Sequence, residues 1–476
     1  MCSLDEIKKV LSEAKQYHLL RFWKELTEEE KLNFIQNVSS IDFPYAVRAF
    51  DQAVSCLAEN RTGLEAKMRP VPDKQFDSVT CVSDGVVREY RDKGLKAIAE
   101  GSVGVLLLAG GQGTRLGVTY PKGIFPLDLP SGKTLYQIQA ERIRKVISLA
   151  EQKHSKRGKI FWYIMTSEAT HNDTVDYFEK HEFFGLEEEN VIFFKQGLLP
   201  CFDFDGNILL QEKDTVALAP DGNGGLYLAL KKHKIIDDMK NRGVRYIHAY
   251  CVDNILVKVA DPVFLGYCIT KNADCGAKVI KKEIPSEPIG VVCEIEGTFQ
   301  VIEYSEISQE TANLRDNDGN LVYRSGNICN HFFTVDFLEK VSEIHESELP
   351  LHAAKKKIPY IDDNGAKTTP TIPNGIKIEK FIFDVFRFSD RFVTWEVHRH
   401  EEFSPLKNCE SALKDCPSTV RRDLFDLHKN YVENAGGKVD GDIEISPLLS
   451  YEGEGLEDVV RGKVFKDRTV LFAECE

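Results

Sequence analysis

The chain has no apolar run approaching the ~18 residues that a membrane-spanning helix needs, so a membrane is not an expected partner. Its first residues, Met1-Cys2-Ser3-Leu4-Asp5-Glu6, turn acidic at once and hold no apolar signal core. Ala473-Glu474-Cys475-Glu476 matches no retention or prenylation tail. The expectation is a cytoplasmic protein. Twelve cysteines are scattered without one Cys-x-x-Cys spacing, which argues against structural zinc and fits reduced thiols. Cys251 and Cys293 lie inside apolar runs and are expected to fill core. A basic excess is absent too. The 61 Lys and Arg against 75 Asp and Glu leave a net charge of −14, which speaks against nucleic acid as a partner. There is no Gly-x-Ser-x-Gly and no His-Glu-x-x-His, so covalent hydrolase and zinc-peptidase chemistry have no foothold. The remaining composition, 42% hydrophobic and 29% charged over 476 residues, predicts a globular chain of two or three domains.

What the chain does have is one dense phosphate-type motif. Val105-Leu106-Leu107-Leu108-Ala109 reads as a buried parallel strand and runs straight into Gly110-Gly111-Gln112-Gly113-Thr114-Arg115-Leu116-Gly117, closed by Pro121-Lys122-Gly123. Glycines let backbone N–H groups approach an anion, and Arg115 and Lys122 add full charges beside them. Spacing separates the possible loops. A dinucleotide loop needs a glycine where Leu116 stands, and a Walker A loop ending at Gly132-Lys133-Thr134 needs one where Leu127 stands. Both fail, so a dehydrogenase is remote and a P-loop ATPase is excluded.

Around this motif strands and helices alternate. Ser3-x-x-Glu6 and Thr27-x-x-Glu30 predict capping boxes in a helical region covering residues 1–100, with a connecting segment near 61–80. Further helices are expected over Asp84–Gly101, from a Thr134 cap through Val146, over Thr170–Phe178, and over Leu226–Met239. Strands are expected at Ile160–Met165, Val191–Phe194 and Tyr246–Val252, then at Lys278–Lys282, Gly290–Ile295, Phe299–Tyr304 and Leu321–Tyr323 as an antiparallel extension. The fold class is therefore α/β: a Rossmann-like, mostly parallel sheet with helices on both faces. The expected division is 1–100 helical, 101–388 catalytic, and 389–476 a small α+β domain with short strands at Lys463–Phe465 and Val470–Phe472.

Several residues are placed for chemistry. Asp253 follows a strand, where a carboxylate can hold Mg²⁺ bridging to phosphates; taken alone it reads first as a turn residue, and beside the glycine loop as a metal or nucleotide ligand. Asp221-Gly222-Asn223-Gly224-Gly225 is a second glycine loop whose backbone and Asn223 amide can read a base or a sugar. Gln196 can pair with a pyrimidine edge, and Lys377 and Lys407 are candidate phosphate ligands. His398 and His400 would share a strand face, but no third metal ligand supports them.

Taken together these motifs resemble the eukaryotic UDP-N-acetylhexosamine (UDP-N-acetylglucosamine) pyrophosphorylases. The matching segments include the opening loop, Lys195-Gln196, Val252-Asp253-Asn254, Val301-Ile302-Glu303-Tyr304-Ser305-Glu306, Ser325-Gly326-Asn327-Ile328 and Phe403-Ser404-Pro405-Leu406-Lys407-Asn408. The resemblance implies a nucleotidyltransferase fold and reversible formation of UDP-N-acetylglucosamine and pyrophosphate from UTP and an N-acetylhexosamine 1-phosphate. Mg²⁺ or Mn²⁺ is the implied cation, with Asp253 serving metal and nucleotide. It carries uridine contacts onto Leu108, Ala109, Gly110, Gly111, Gln196 and Gly222. It carries phosphate contacts onto the catalytic Arg115 and Lys122, and onto Lys377 and Lys407. Sugar contacts fall on Asn223, Gly290, Glu303, Tyr304 and Asn327, and Phe381 and Phe383 would wall the N-acetyl pocket. The sequence leaves open the choice between the two N-acetylhexosamines, a UDP-glucose-type rival, a non-catalytic sensor on the same scaffold, and the oligomeric state, a homodimer included.

Overall fold

The computed structural model describes residues 3–58 and 62–474; the Cys475-Glu476 end lies outside the described residues. The chain divides into two compact units. One comprises residues 1–61, 196–229 and 346–384, the other residues 62–195, 230–345 and 385–476. The boundaries expected at 101 and 389 differ from this division. Helix Asp84–Ala99 and strand Phe392–Val397 both belong to the larger unit, and residues 1–61 join two segments far along the chain. Local patterning cannot foresee such long-range pairing.

The larger unit is organised by one 11-stranded sheet. Its strands are β1 (Met68–Arg69), β2 (Phe76–Ser78), β3 (Val103–Leu108), β4 (Ile160–Thr166), β5 (Val191–Lys195) and β6 (Tyr246–Cys251). They continue with β7 (Cys275–Lys281), β8 (Val291–Ile295), β9 (Thr298–Ile302), β10 (Ser325–Thr334) and β11 (Phe392–Val397). The main order is β2-β11-β7-β10-β6-β3-β4-β5, and β8, paired with β1 and β9, branches from β10. Every neighbour pair on the main path is parallel except those of β10, which runs antiparallel to both β7 and β6. Every residue of β3 and β4 is buried, as expected for strands covered on both faces. Helix Leu135–His154 connects β3 to β4. Helices Asp84–Ala99 and Pro262–Thr270 pack so closely that a Cβ on Gly266 would lie 1.7 Å from the Tyr90 carbonyl oxygen.

This order creates a switch point. From β3 the chain moves outward through β4 to β5, then returns to place β6 on the other side of β3. At such a point the loops beyond the carboxyl ends diverge and leave a ligand crevice. Leu108 and Cys251, the last residues of β3 and β6, are paired. The glycine loop and Asp253 therefore leave the sheet side by side.

Most local expectations hold and a few are corrected. Both N-terminal capping boxes form. Thr134 occupies the N-cap position but makes no side-chain cap bond. The expected helix Leu226–Met239 is two helices, Leu226–Lys232 and Ile235–Asn241, broken where Lys234 takes φ +54°. Leu321–Tyr323 is no strand; Leu321 makes only a single bridge to Arg315. In the C-terminal region strands at Lys438–Asp440 and Ile443–Ile445 pair in parallel with Val464–Lys466 and Thr469–Leu471.

The smaller unit buries Leu11, Phe34, Phe43 and Ala49 of its helices against Phe202, Ile376 and Ile378 of its strands. Its three-stranded sheet orders His352–Lys356, Gly375–Glu379 and Phe202–Asp203. No helix among the described residues is long and apolar enough to cross a membrane.

Candidate active site

In the larger unit the switch point gathers the phosphate-type residues. Lys122 Nζ stands 3.6 Å from Asp253 Oδ2, both side chains being less than one quarter exposed. The loop that carries Lys122 is folded back on the glycines. Lys122 N donates to Gly111 O at 3.3 Å, Gln112 bridges to Pro121, and Gly113 N donates to Tyr120 O. The backbone thus fixes the lysine rather than leaving it on a long surface stem. Gly123 packs on Tyr136, whose ring would lie 2.3 Å from any added Cβ. Leu108 and Ala109 are buried, Gly110 is half-buried, and Gly111 and Arg115 are exposed at the crevice.

A second loop is tied to the first through Asn254. Its Oδ1 accepts from Ser404 N at 2.9 Å and its Nδ2 donates to Glu402 O at 2.7 Å. Leu406 N donates to Asp253 O at 2.8 Å, and Cys409 N donates to Arg115 O at 3.1 Å. Segment 402–409, which bears Lys407, is therefore hydrogen-bonded to both Asp253-Asn254 and the glycine loop. In the sequence Asn254 carried no role of its own, because an asparagine after a strand-ending aspartate reads as a turn.

Three of the residues expected at the sugar, Gly290, Glu303 and Asn327, also converge. A Cβ on Gly290 would lie 2.8 Å from Glu303 Oε1, and Asn327 N donates to Gly290 O at 2.8 Å. Tyr304, by contrast, is 52% exposed. Lys282 joins this cluster and was missed, since a Lys281-Lys282 pair looks like solvated surface. It is buried, its Nζ reaches Ile289 O at 3.4 Å, and burial lowers its pKa while Glu287 and Glu303 oppose that shift. The link from sugar cluster to switch point runs along β10, where Cys329 N donates to Asn327 Oδ1 and Asn330 pairs with Tyr250 of β6. Cys293 is core as expected; Cys251 is part-exposed at the end of β6, because strand ends open onto the crevice.

The smaller unit holds the other expected residues. Gln196 Nε2 donates to Gly222 O at 3.3 Å and to Asp221 Oδ1 at 3.4 Å. Gly222 takes φ +86°, and Asn223 Oδ1 accepts from Ile382 N at 2.9 Å. Asn223 thus anchors the segment carrying Phe381 and Phe383, whose rings lie 5.1 Å apart. His352 stacks on Phe381 at 4.2 Å and bonds Asp384. Lys377 sits half-buried in strand Gly375–Glu379.

Burial pushes the Asp221 carboxyl up from 3.8 to about 6, against the opposing charge of Lys380. A carboxyl raised in the folded state keeps its proton where the unfolded chain has lost it, so its contribution falls as pH rises from about 4 to about 6. Asp221→Asn should remove this slope. In urea unfolding across that window, the variant should gain about 2–3 kcal/mol on the wild type as pH rises. Parallel curves would mean that Asp221 is not strained by its burial.

His398 is the N-cap of helix Arg399–Glu402 rather than a strand residue, so the expected shared strand face with His400 does not exist. Among the described residues no group of three or more His, Cys, Asp or Glu side chains is set to hold a metal. Asp253 offers a single carboxylate. That fits Mg²⁺, which takes one or two carboxylates and completes its shell with waters and substrate phosphates.

A doubly wound sheet with a basic glycine loop facing a carboxylate at its switch point defines a nucleotide-handling enzyme scaffold. The chain belongs to the UTP--glucose-1-phosphate uridylyltransferase family, whose match spans residues 47–442. It is 48% identical to the human UDP-N-acetylhexosamine pyrophosphorylase-like protein 1, over 99% of this chain and 97% of that protein. It is 42% identical to the UDP-N-acetylglucosamine pyrophosphorylase of Saccharomyces cerevisiae, over 99% of this chain and all of that one. Among solved structures, the uridine diphosphate N-acetylglucosamine pyrophosphorylase of Trypanosoma brucei superposes with a TM-score of 0.85 at 29% identity, covering 100% of this chain and 99% of that one.

Proposed function

We propose that the chain is a cytoplasmic uridylyltransferase that forms UDP-N-acetylglucosamine and pyrophosphate from UTP and N-acetylglucosamine 1-phosphate, reversibly, with the N-acetylgalactosamine analogue as a second substrate. The observation that carries this reading is Lys122 held 3.6 Å from Asp253 at the switch point between β3 and β6. The full-length likeness to the yeast pyrophosphorylase supports the sugar.

The chemistry asks little of a general base. The sugar phosphate oxygen is already an anionic nucleophile. It attacks the α-phosphorus of UTP, the bond to the bridging oxygen breaks, and pyrophosphate leaves with that electron pair. The barrier is repulsion between anions and charge growing on the leaving group, so catalysis is positioning plus electrostatics. Lys122 and Arg115 face the departing pyrophosphate, and Lys407 orients the incoming phosphate. Asp253 would hold Mg²⁺ or Mn²⁺, and the cation would neutralise phosphate charge when bound. Leu108 to Gly111, with Gln196 and Gly222, are the proposed uridine contacts, and Lys377 a further phosphate contact. Gly290, Glu303, Tyr304 and Asn327, with Asn223, Phe381 and Phe383, are the proposed sugar contacts.

A pyrophosphate-release assay with UTP and Mg²⁺ across N-acetylglucosamine, N-acetylgalactosamine and glucose 1-phosphates tests the proposal. Release is expected with the N-acetylated sugars and to be far slower with glucose 1-phosphate. Release with glucose 1-phosphate alone would move the enzyme to the UDP-glucose branch. No release with any of them would make the chain a binding protein.

A further inference from the structure

We propose that Cys251 and Cys329 form an oxidisable thiol pair in the wall of the substrate crevice, closed to a disulfide by a hydroperoxide and reopened by a dithiol. The functional consequence rests on the uridylyltransferase reading; the pair itself does not.

The pair is built by the sheet. In the antiparallel ladder of β6 and β10 the last register partners are Tyr250 and Asn330. Cys251 and Cys329 come next, one residue further on each strand. Tyr250 and Asn330, the opposed pair just before them, set Cα atoms about 4.5–5.5 Å apart, so the two cysteines leave the ladder from adjacent positions, near the span a disulfide bridges. β10 has a bulge at this point, where its register with β7 shifts and Cys329 takes φ +52°. A bulge leaves a residue outside the ladder and gives the backbone freedom to adjust.

Both cysteines are part-exposed, whereas Cys201, Cys268, Cys275, Cys293 and Cys416 are buried. They border the residues that matter most. Cys251 precedes Asp253 by two positions, and Cys329 N is held by Asn327 Oδ1 at 3.1 Å. Lys407 is close enough for its charge to act on Cys251.

The redox step balances with a peroxide as oxidant. The Cys329 sulfur attacks the peroxide, the O–O bond breaks, and a sulfenic acid forms with release of water. The Cys251 sulfur then attacks Cys329, the S–S bond forms, and a second water leaves. Two thiols lose two electrons and two protons, and hydrogen peroxide becomes two waters. The new bond, about 2.05 Å long, draws the end of β6 toward the bulge of β10. That movement displaces Asp253 and Asn327 together, and a misplacement of about 1 Å in a reacting constellation costs on the order of 10²-fold in rate.

The test treats the full chain with hydrogen peroxide, follows pyrophosphate release, and maps cysteines by non-reducing peptide mass analysis. The expected result is a Cys251–Cys329 cross-linked peptide lacking two hydrogens, a rate lowered on the order of 10²-fold, and recovery of both with dithiothreitol. Cys329→Ser should give no cross-link and should keep, under the same dose, the rate it shows before treatment. Recovery of Cys251 and Cys329 as separately alkylated thiols would overturn the proposal. Equal inactivation of Cys329→Ser would also overturn it, placing the damage at another thiol such as exposed Cys409. A cross-link without loss of rate would refute the effect on turnover. A chain that releases no pyrophosphate before oxidation would sink the uridylyltransferase reading, while the peptide map would still decide whether the thiols pair.

Discussion

Lys122→Ala should lower turnover by ~10²-fold or more while the protein stays folded. The lysine is not part of a core. It is less than one-fifth exposed, faces Asp253, and is fixed by the bond from its own backbone N–H to Gly111 O. A cation set in place before reaction costs no reorganisation when charge grows on the departing pyrophosphate. The loss should therefore appear in kcat rather than in KM, because the growing charge is a feature of the transition state. Lys122→Arg should restore only part of it, since a guanidinium is a planar fork rather than a compact point charge. Steady-state pyrophosphate release at saturating UTP reads the effect, and an unchanged turnover number would remove Lys122 from the chemistry.

Lys278→Met should destabilise the chain by about 3–5 kcal/mol. Lys278 lies on β7 with no exposed surface and donates to Asp261 Oδ2 at 2.6 Å and to Glu402 Oε2. Burial works against its charge, but Asp261 and Glu402 outweigh that and raise its pKa above the ordinary lysine value. Lys258 reaches the same Glu402 at 3.5 Å. Removing Lys278 leaves two buried carboxylates with one cation between them, the costly half of a broken buried pair. Urea unfolding against the wild type measures the effect. The double variant Lys278→Met with Glu402→Gln should recover part of the loss, because fewer unpaired charges remain. A small effect for the single variant would mean that water reaches the cluster. Glu402 also begins the segment that carries Lys407, so the single variant should lose turnover as well as stability.

The two predictions differ in how far the sequence announces them. Lys122 was legible because glycines, an arginine and a lysine within one loop after an apolar strand leave few other uses. Asp253 was legible as a strand-end carboxylate, and the order of elements from Val103 to Lys195, and the strand Tyr246–Cys251, followed from alternating apolar runs and helical periods. The buried roles of Lys278, Lys282 and Asn254 were not legible. A lysine in a sequence looks like solvated surface, and only the long-range pairing of β7 with β10 and β11 shows that Lys278 is enclosed.

The sequence by itself determined the α/β class, the phosphate character of the first loop, and the exclusion of dinucleotide and Walker spacings. Those depend on residue type and short spacing, which local physics fixes. Only the tertiary structure decided that Lys122 meets Asp253, that residues 1–61 share a unit with 196–229 and 346–384, and that β6 pairs with β10 up to Tyr250 and Asn330. Each of these joins positions dozens to hundreds of residues apart. Such contacts form where burial of apolar surface brings strands into register, and that depends on the whole chain at once.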